Sequence, residues 1–173
     1  MNDAPRIQEL VGEWDVARNI LNIPFPYPLS TAVMWIEGQQ LSYERGMGAV
    51  FALMERSSHL LIGAAGLGNI NREYESAEIG FWIGKPYWNF GYATEAVSSL
   101  LGYGFGTLGL NRIQGRHFAR NPASGRVMEK CGMKYEGCLR QYVKKWGDFE
   151  DVKVFGMLKG EVGNLREGTD TPI

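Results

Sequence analysis

The sequence predicts an α+β fold, one mixed sheet with helices on its faces, and three observations carry that expectation. Helical spacing marks the N-terminal third. The middle switches to short apolar runs and strict alternation. Helical stretches then alternate with strands to the end of the chain.

Taken in order, Ile7, Leu10, Val11 and Trp14 recur at helical spacing behind Asn2 and Asp3, either of which suits a cap. Pro24-Phe25-Pro26-Tyr27-Pro28 forbids a continuous helix, because proline has no amide to donate. Ser30 or Thr31 is placed to cap a second helix running to about Tyr43. Ala49–Met54 and Leu60–Leu67 read as buried strands. In Ala77–Ile83, Ile79, Phe81 and Ile83 face one way, and Glu78, Gly80 and Trp82 the other. From Ala93 the helical period returns, with Ala93, Ala96, Val97, Leu100, Leu101, Phe105 and Leu108 on one face. Arg112–Phe118 looks like another strand. Asn121-Pro122-Ala123-Ser124 signals a helix start, with Asn as cap and Pro first, and Gly132 supplies the stop. Two last strands, about Lys134–Lys144 and Glu150–Leu158, join through Trp146-Gly147-Asp148 as a hairpin. The expected organisation is one domain over residues 1–160 and a polar, mobile tail over 161–173.

Composition narrows the function classes. A net charge of -1 gives no basic field for nucleic acid or an anionic membrane. The longest apolar runs are too short to span a bilayer, and the N-terminus lacks the regions of a signal peptide. The two cysteines, Cys131 and Cys138, have no metal-ligand spacing and are few for a disulfide scaffold. A cytoplasmic protein with reduced thiols and no metal is the simplest expectation.

The segment that carries chemistry is a strand, a loop and a helix: Ile79–Ile83, then Gly84-Lys85-Pro86-Tyr87-Trp88-Asn89-Phe90-Gly91-Tyr92-Ala93-Thr94-Glu95. A glycine turn opening a helix aims free amides outward, and the helix dipole adds partial positive charge. Such a turn holds a pyrophosphate without a cationic side chain. It fits neither a Walker loop nor a three-glycine dinucleotide fingerprint. What it has is Trp88-x-x-Gly91-x-Ala93, with a second helix start at Asn121 one strand further on.

Ala77-Glu78-Ile79-Gly80-Phe81-Trp82-Ile83 with Trp88-x-x-Gly91-Tyr92-Ala93-Thr94-Glu95-Ala96 resembles the GNAT superfamily of N-acetyltransferases, in its RimJ/RimL-like, ribosomal-protein N-terminal acetyltransferase branch. Asn121-x-x-Ser124, Glu129-Lys130-x-Gly132-Met133, Glu136-Gly137 and Gly147-Asp148-Phe149-Glu150-Asp151 extend the likeness, which covers roughly Ala4 to Leu158. It implies the acyl-CoA N-acyltransferase fold, a mixed and mostly antiparallel sheet with helices on both faces. Two departures stand out. Relatives begin with an extra strand before the first helix, so the expectation is either an N-terminally shortened sequence or a sheet without its first edge strand, and an exposed edge would favour a homodimer. The turn also has Asn89 and Phe90 where relatives carry Gly followed by Lys, Gln or Arg.

The resemblance further implies acetyl-CoA as donor, CoA as product, and attack of a neutral amine on the thioester. Its cofactor-binding residues fall on Phe81, Trp82, Ile83, Trp88, Asn89, Phe90, Gly91, Tyr92, Ala93, Thr94, Asn121 and Ser124. The pantetheine arm would enter between Glu78–Ile83 and Arg112–Phe118, meeting main-chain groups of Phe81 and Ile83. Ser124 is the expected donor to the departing sulfur, although a first-turn hydroxyl often only serves the backbone. Glu78 is the expected base, with Glu136 and His117 as other titratable groups near the cleft and ion pairing or core packing as their ordinary fates. Trp14, Phe25, Tyr27 and Asp151 are the expected acceptor-binding residues, each also explicable as packing or a strand-edge polar group. An α-amine, at a pKa of about 7.7–8.0, needs less help from a base than a lysine at about 10.4. The expected acceptor is therefore a protein or peptide N-terminus. A polyamine, amino acid or antibiotic is the alternative, and a non-catalytic acyl-CoA-binding module or a scaffold the rivals outside enzymes.

Overall fold

The computed structural model describes residues 2–165. Three helices open the chain: α1 (Ala4–Val11), α2 (Trp14–Ala17) and α3 (Leu29–Glu44). The strands β1 (Ala49–Met54), β2 (Leu61–Asn71) and β3 (Ser76–Ile83) follow, then α4 (Tyr92–Gly102), β4 (Arg112–Phe118), α5 (Pro122–Lys130), β5 (Lys134–Lys145) and β6 (Asp148–Leu158). One six-stranded sheet runs in the order β1-β2-β3-β4-β6-β5. All neighbours are antiparallel except β3 and β4, which the crossover through α4 makes parallel. This is the mixed, mostly antiparallel sheet that the sequence predicts. Among the described residues β1 is an edge, with nothing paired outside it.

Buried side chains form two clusters. Ile79 of β3 packs with Val97, Leu100 and Leu101 of α4 and Met128 of α5, with Phe81 against the same cluster. Trp82 packs instead against a cluster built from Ile7, Leu10 and Val11 of α1 and Ala32 of α3. Alternation along β3 therefore sends neighbouring side chains into opposite helical layers, as the period of two requires.

Several local expectations need correction. The first helix stops at Val11 because Glu13 is extended (ψ 128), so Trp14 begins a separate short helix. Asp3 is at the cap of α1 without a side-chain bond to it. Neither Ser30 nor Thr31 caps α3; Pro28 holds that position and both lie in the first turn. The stripe read through Leu108 changes winding after Gly102: Tyr103–Thr107 is a π-turn, closed by the Leu108 amide on the Tyr103 carbonyl at 3.0 Å. There Gly104 lies so close to Ile113 and Leu67 that a Cβ would come within 2.5 Å of the former. The segment read as a tail begins inside a 3-10 turn, Lys159–Leu165, in which Glu161 pairs with Lys134; residues 166–173 lie outside the described residues. No helix among the described residues is long and apolar enough to cross a membrane.

Candidate active site

The parallel pair does not stay paired. Contact between β3 and β4 runs from Ser76 opposite Arg112 to Ile79 opposite Gly115 and then ends, although both strands continue. Beyond that point the strands part. The Gly84 amide donates to Ile62 of β2 at 2.8 Å, so alternation turns the main-chain groups of Phe81 and Ile83 toward the opened side. The Ile83 carbonyl there accepts the Trp88 indole N–H at 2.7 Å, which fixes the start of the turn. A cavity of about 430 Å³ opens beside the unpaired end of β3. It is lined by Phe81, Trp82 and Ile83 of β3, by Trp88, Asn89, Gly91, Tyr92, Ala93 and Thr94 of the turn and α4, and by Asn121 and Ser124.

The turn has the conformation an anion cradle needs. Gly91 sits at φ 88, the left-handed region that glycine tolerates. Asn89 sits at φ 68, and asparagine is among the few residues that enter this region readily. The departure from glycine at that position is thus conformationally compatible. Glu95 makes the first backbone bond of α4, to the Gly91 carbonyl at 3.1 Å, so the amides of Tyr92, Ala93 and Thr94 precede the ladder and face its mouth. Phe90 differs: it is 71% exposed and does not line the cavity.

On the opposite wall, α5 begins at Pro122 with Asn121 at its cap position, but the Asn121 side chain makes no capping bond. Its Nδ2 donates instead to Ser124 Oγ at 2.9 Å. That fills an acceptor site on the hydroxyl and leaves its proton available for a group in the cavity. Gly132, at φ 79, ends the helix as expected. Cys131 is buried, its thiol pushed up to about 11, and Cys138 is exposed. A buried thiol held this high is protonated at neutral pH and is a small apolar group, not a nucleophile.

The carboxylates named from the sequence are committed elsewhere. Glu78 is outside the cavity lining, and both its oxygens accept from Arg116, at 3.0 and 2.5 Å. Glu136 is bound in the same two-pronged way by Arg112, at 2.8 and 2.5 Å, which holds its carboxyl below the ordinary range. Asp151 accepts the Gln141 amide at 2.7 Å, beside the irregularity of β5 between Leu139 and Val143. The two bidentate ion pairs, Glu78 with Arg116 and Glu136 with Arg112, tie β3 to β4 and β4 to the start of β5. His117 is buried, its Nδ1 2.7 Å from the Phe118 carbonyl, and burial pushes its pKa down. Tyr27 is 6% exposed in the α1–α3 cluster, whereas Trp14 and Phe25 are exposed and pack against each other and Trp146.

The structure adds lining residues that the sequence reading passed over. Asp15, Val16, Asn19 and Ile20, on and just after α2, close one end. Asp15 is the single lining carboxylate, and Lys85 Nζ pairs with it at 2.7 Å. Arg126 and Lys130 line the other wall one helical turn apart. Their i, i+4 spacing behind Ser124 was legible and places cations on the cavity face, supplying charge that the Asn89-Phe90 turn lacks. Free amides, a hydroxyl donor and two cations are a donor set that suits a diphosphate attached to a thioester arm. Among the described residues no cluster of His, Cys, Asp or Glu is placed to hold a metal.

Comparison with known proteins gives the same picture. Over 131 residues the chain is 34% identical to the uncharacterized N-acetyltransferase YoaA of Bacillus subtilis (strain 168), spanning 76% of this chain and 74% of that protein. It is 24% identical over 123 residues to the ribosomal-protein-serine acetyltransferase of Escherichia coli (strain K12), covering 71% and 68%. Among solved structures, the microcin C7 self-immunity acetyltransferase MccE in complex with acetyl-CoA and AMP shares the fold, with a TM-score of 0.81 at 19% identity over 91% of this chain and 87% of that one. An F149A mutant of spermidine N-acetyltransferase SpeG from Vibrio cholerae has a TM-score of 0.76 at 26% identity, over 96% and 95%. Residues 1–134 match the family described as an acetyltransferase (GNAT) domain, and with the splayed strands and amide-lined turn in place, this chain belongs to that family of acetyl-CoA-dependent N-acetyltransferases.

Proposed function

We propose that the enzyme transfers the acetyl group of acetyl-CoA to the N-terminal α-amine of a protein or peptide, in the manner of the RimJ/RimL branch. The observation that carries this is the state of the carboxylates: Asp15, the one in the cavity lining, is paired with Lys85, and Glu78 is paired with Arg116. A polyamine keeps further ammonium groups after one amine reacts, and recognising them calls for unpaired acids. An α-amine asks for less. At about 7.7–8.0 its pKa leaves a useful neutral fraction at physiological pH, so the nucleophile forms without a strong base.

In this reading the amides of Tyr92, Ala93 and Thr94 grip the diphosphate, with Arg126 and Lys130 adding charge from α5. Main-chain groups of Phe81 and Ile83 and the side chain of Asn121 guide the arm. Acetyl-CoA supplies an activated carbonyl and a thiolate leaving group. The neutral amine forms the C–N bond as the C–S bond breaks, and the Ser124 hydroxyl donates to the sulfur. The attacking nitrogen sheds its extra proton to solvent. Holding amine and thioester in one cavity supplies much of the rate. The likeness to a ribosomal-protein-serine acetyltransferase supports a protein acceptor. A second reading, acetylation of a small polyamine, is favoured by the likeness to spermidine N-acetyltransferase.

The test is release of CoA thiol from acetyl-CoA across N-terminal peptides, polyamines and aminoglycosides. We expect peptides with a free α-amine to give the highest kcat/KM. Turnover of spermidine with peptides inert would transfer the assignment to the small-molecule reading.

A further inference from the structure

Three aromatic rings form a shelf at the start of α2, outside the cavity lining but with Trp14 directly preceding the lining residues Asp15 and Val16. Trp14 meets Phe25 edge-on at 4.9 Å between centroids and stacks on Trp146 at 5.0 Å, and Phe25 and Trp146 are 5.7 Å apart. Despite packing on one another, the three remain 48%, 44% and 44% exposed. Apolar surface gathered in one exposed place is characteristic of a binding surface.

Trp146 is the informative member. It occupies the β5–β6 turn at φ 51, ahead of Gly147 at φ 105. A two-residue connection with both φ values positive is suited by Asn-Gly, and a bulky residue is an outlier there. Closing the hairpin does not require an indole. A large ring kept in a sparsely populated conformation points to a task for the ring itself.

The shelf is also braced. The Trp146 indole N–H donates to the Ile23 carbonyl at 3.2 Å. The Lys145 ammonium lies 4.1 Å from the Trp146 ring centroid and donates to the Ile20 and Leu21 carbonyls at 2.5 and 3.2 Å. Asn19 Nδ2 donates to the Asp15 carbonyl at 2.9 Å, and Arg120 donates to Asn19 Oδ1 at the same distance. Asp15, Asn19 and Ile20 all line the cavity, so the elements that carry the rings are continuous with its α2 wall. Rings fixed in this way bind without first being ordered.

Charge excludes one occupant. Lys145 already takes a face of Trp146, and Arg120 is bonded into the same segment. Asp15 is paired with Lys85, and Glu150 is paired with Arg120. A polycation arriving here meets ammonium and guanidinium groups with their carboxylates taken; an uncharged apolar group meets open ring faces.

We propose that Trp14, Phe25 and Trp146 receive the side chain of the acceptor's N-terminal residue, so that the enzyme selects α-amines beside an aromatic or large aliphatic group. This rests on the α-amine reading above. The test uses three peptides identical except for a first residue of Phe, Leu or Ala, with spermidine as a fourth acceptor, on the wild-type enzyme and on Trp146→Asn and Phe25→Ala. Asparagine suits the turn at position 146, and Phe25→Ala removes a ring without touching the turn. Wild-type kcat/KM for the Phe and Leu peptides should exceed that for the Ala peptide by about tenfold. In both variants that ratio should fall toward one while acetyl-CoA affinity is retained. Equal kcat/KM on the three peptides, or an undiminished ratio in both variants, overturns the shelf and leaves the α-amine reading standing. Acetylation of spermidine with all three peptides inert overturns both.

Discussion

Replacing Gly91 with valine strikes at the turn to which we assign the diphosphate, through backbone conformation alone. Gly91 holds φ 88, yet a Cβ built there meets nothing within 4 Å, so the substitution adds strain without a clash. The left-handed conformation costs an L-residue about 1–2 kcal/mol. If the variant escapes by rotating Gly91 to negative φ, the amides of Tyr92, Ala93 and Thr94 turn away from the cavity. The cradle then forms in only a fraction of molecules, and the apparent Kd rises as the inverse of that fraction. A strain of about 1–2 kcal/mol corresponds to a Kd for acetyl-CoA raised roughly 5–30-fold. Calorimetric titration reads this directly, and melting reads it independently. Ligand at 100 times Kd stabilises the wild type by about 2.7 kcal/mol, and a chain of this size gains about 2–4 °C for each of those. The valine variant should lose close to half of that shift at the same ligand concentration. Gly102→Ala is the control, in the same helix at φ -58 with nothing within 4 Å; it should keep wild-type affinity and gain about 0.4–1 kcal/mol. A folded Gly91→Val protein with wild-type Kd would refute the amide cradle.

Ser124→Ala should lower kcat by up to about 10²-fold, the lower end of what a positioned acid contributes, because a thiol leaves readily. Equilibrium binding of acetyl-CoA should stay put, and an unchanged kcat removes the hydroxyl from the reaction. Lys130→Ala combined with Arg126→Ala should weaken acetyl-CoA binding and flatten its dependence on salt in titrations from low to high ionic strength, since both cations face the cavity and are exposed. Glu78→Gln should lower the melting temperature by loosening the Arg116 pair while leaving the pH profile of kcat/KM unshifted; a shifted profile would restore Glu78 as the base. Burial holds His117 below its ordinary 6.5, so the unfolded chain binds that proton first. Its stabilising effect is complete above about pH 6.5 and disappears as pH falls through the folded value. Melting temperatures between pH 7.5 and 5 should therefore fall more steeply in the wild type than in His117→Leu.

Most of the framework was legible in the sequence because it rests on period. The β1 strand falls on the residues read for it, and Ile79, Phe81 and Trp82 take the faces that alternation assigns. The conformation of the turn before α4 was legible for a similar reason, since a glycine at positive φ opening a helix is a local requirement. Where reading failed, the deciding contact was distant or the local signal was two-sided. Asn121 carried a capping signature, yet its side chain turns to Ser124. For Glu78 an ion pair was foreseen as one fate but its partner was not, because Arg116 lies 38 residues away, on a strand whose register is set by the crossover. Asp15, Asn19 and Ile20 were missed because the helical stripe seemed continuous through Gly12, and the break at Glu13 is what gives α2 its own direction.

The place of the site follows from the one parallel pair. Every antiparallel pair here keeps its ladder for most of its length, whereas β3 and β4 share four residue pairs before they part. Past Ile79 the unpaired main chain of β3 must find other partners, and Trp88 takes the Ile83 carbonyl. The groups left over point into a space entered by two helix starts, those of α4 and α5. The free amides of the turn, the cavity beside them and the Ser124 hydroxyl, to which we assign phosphate, thioester and sulfur, therefore arise together from one interrupted ladder. The same geometry explains the absence of a dedicated base from the cavity lining. Glu78 and Arg116 stand on the two diverging strands, beside the point where pairing ends, and their ion pair joins them there. Protonating or removing that carboxylate would leave the Arg116 guanidinium half-buried without its partner. Holding the fork together and accepting a proton are thus competing uses of one carboxylate, and the pH profile of Glu78→Gln decides between them.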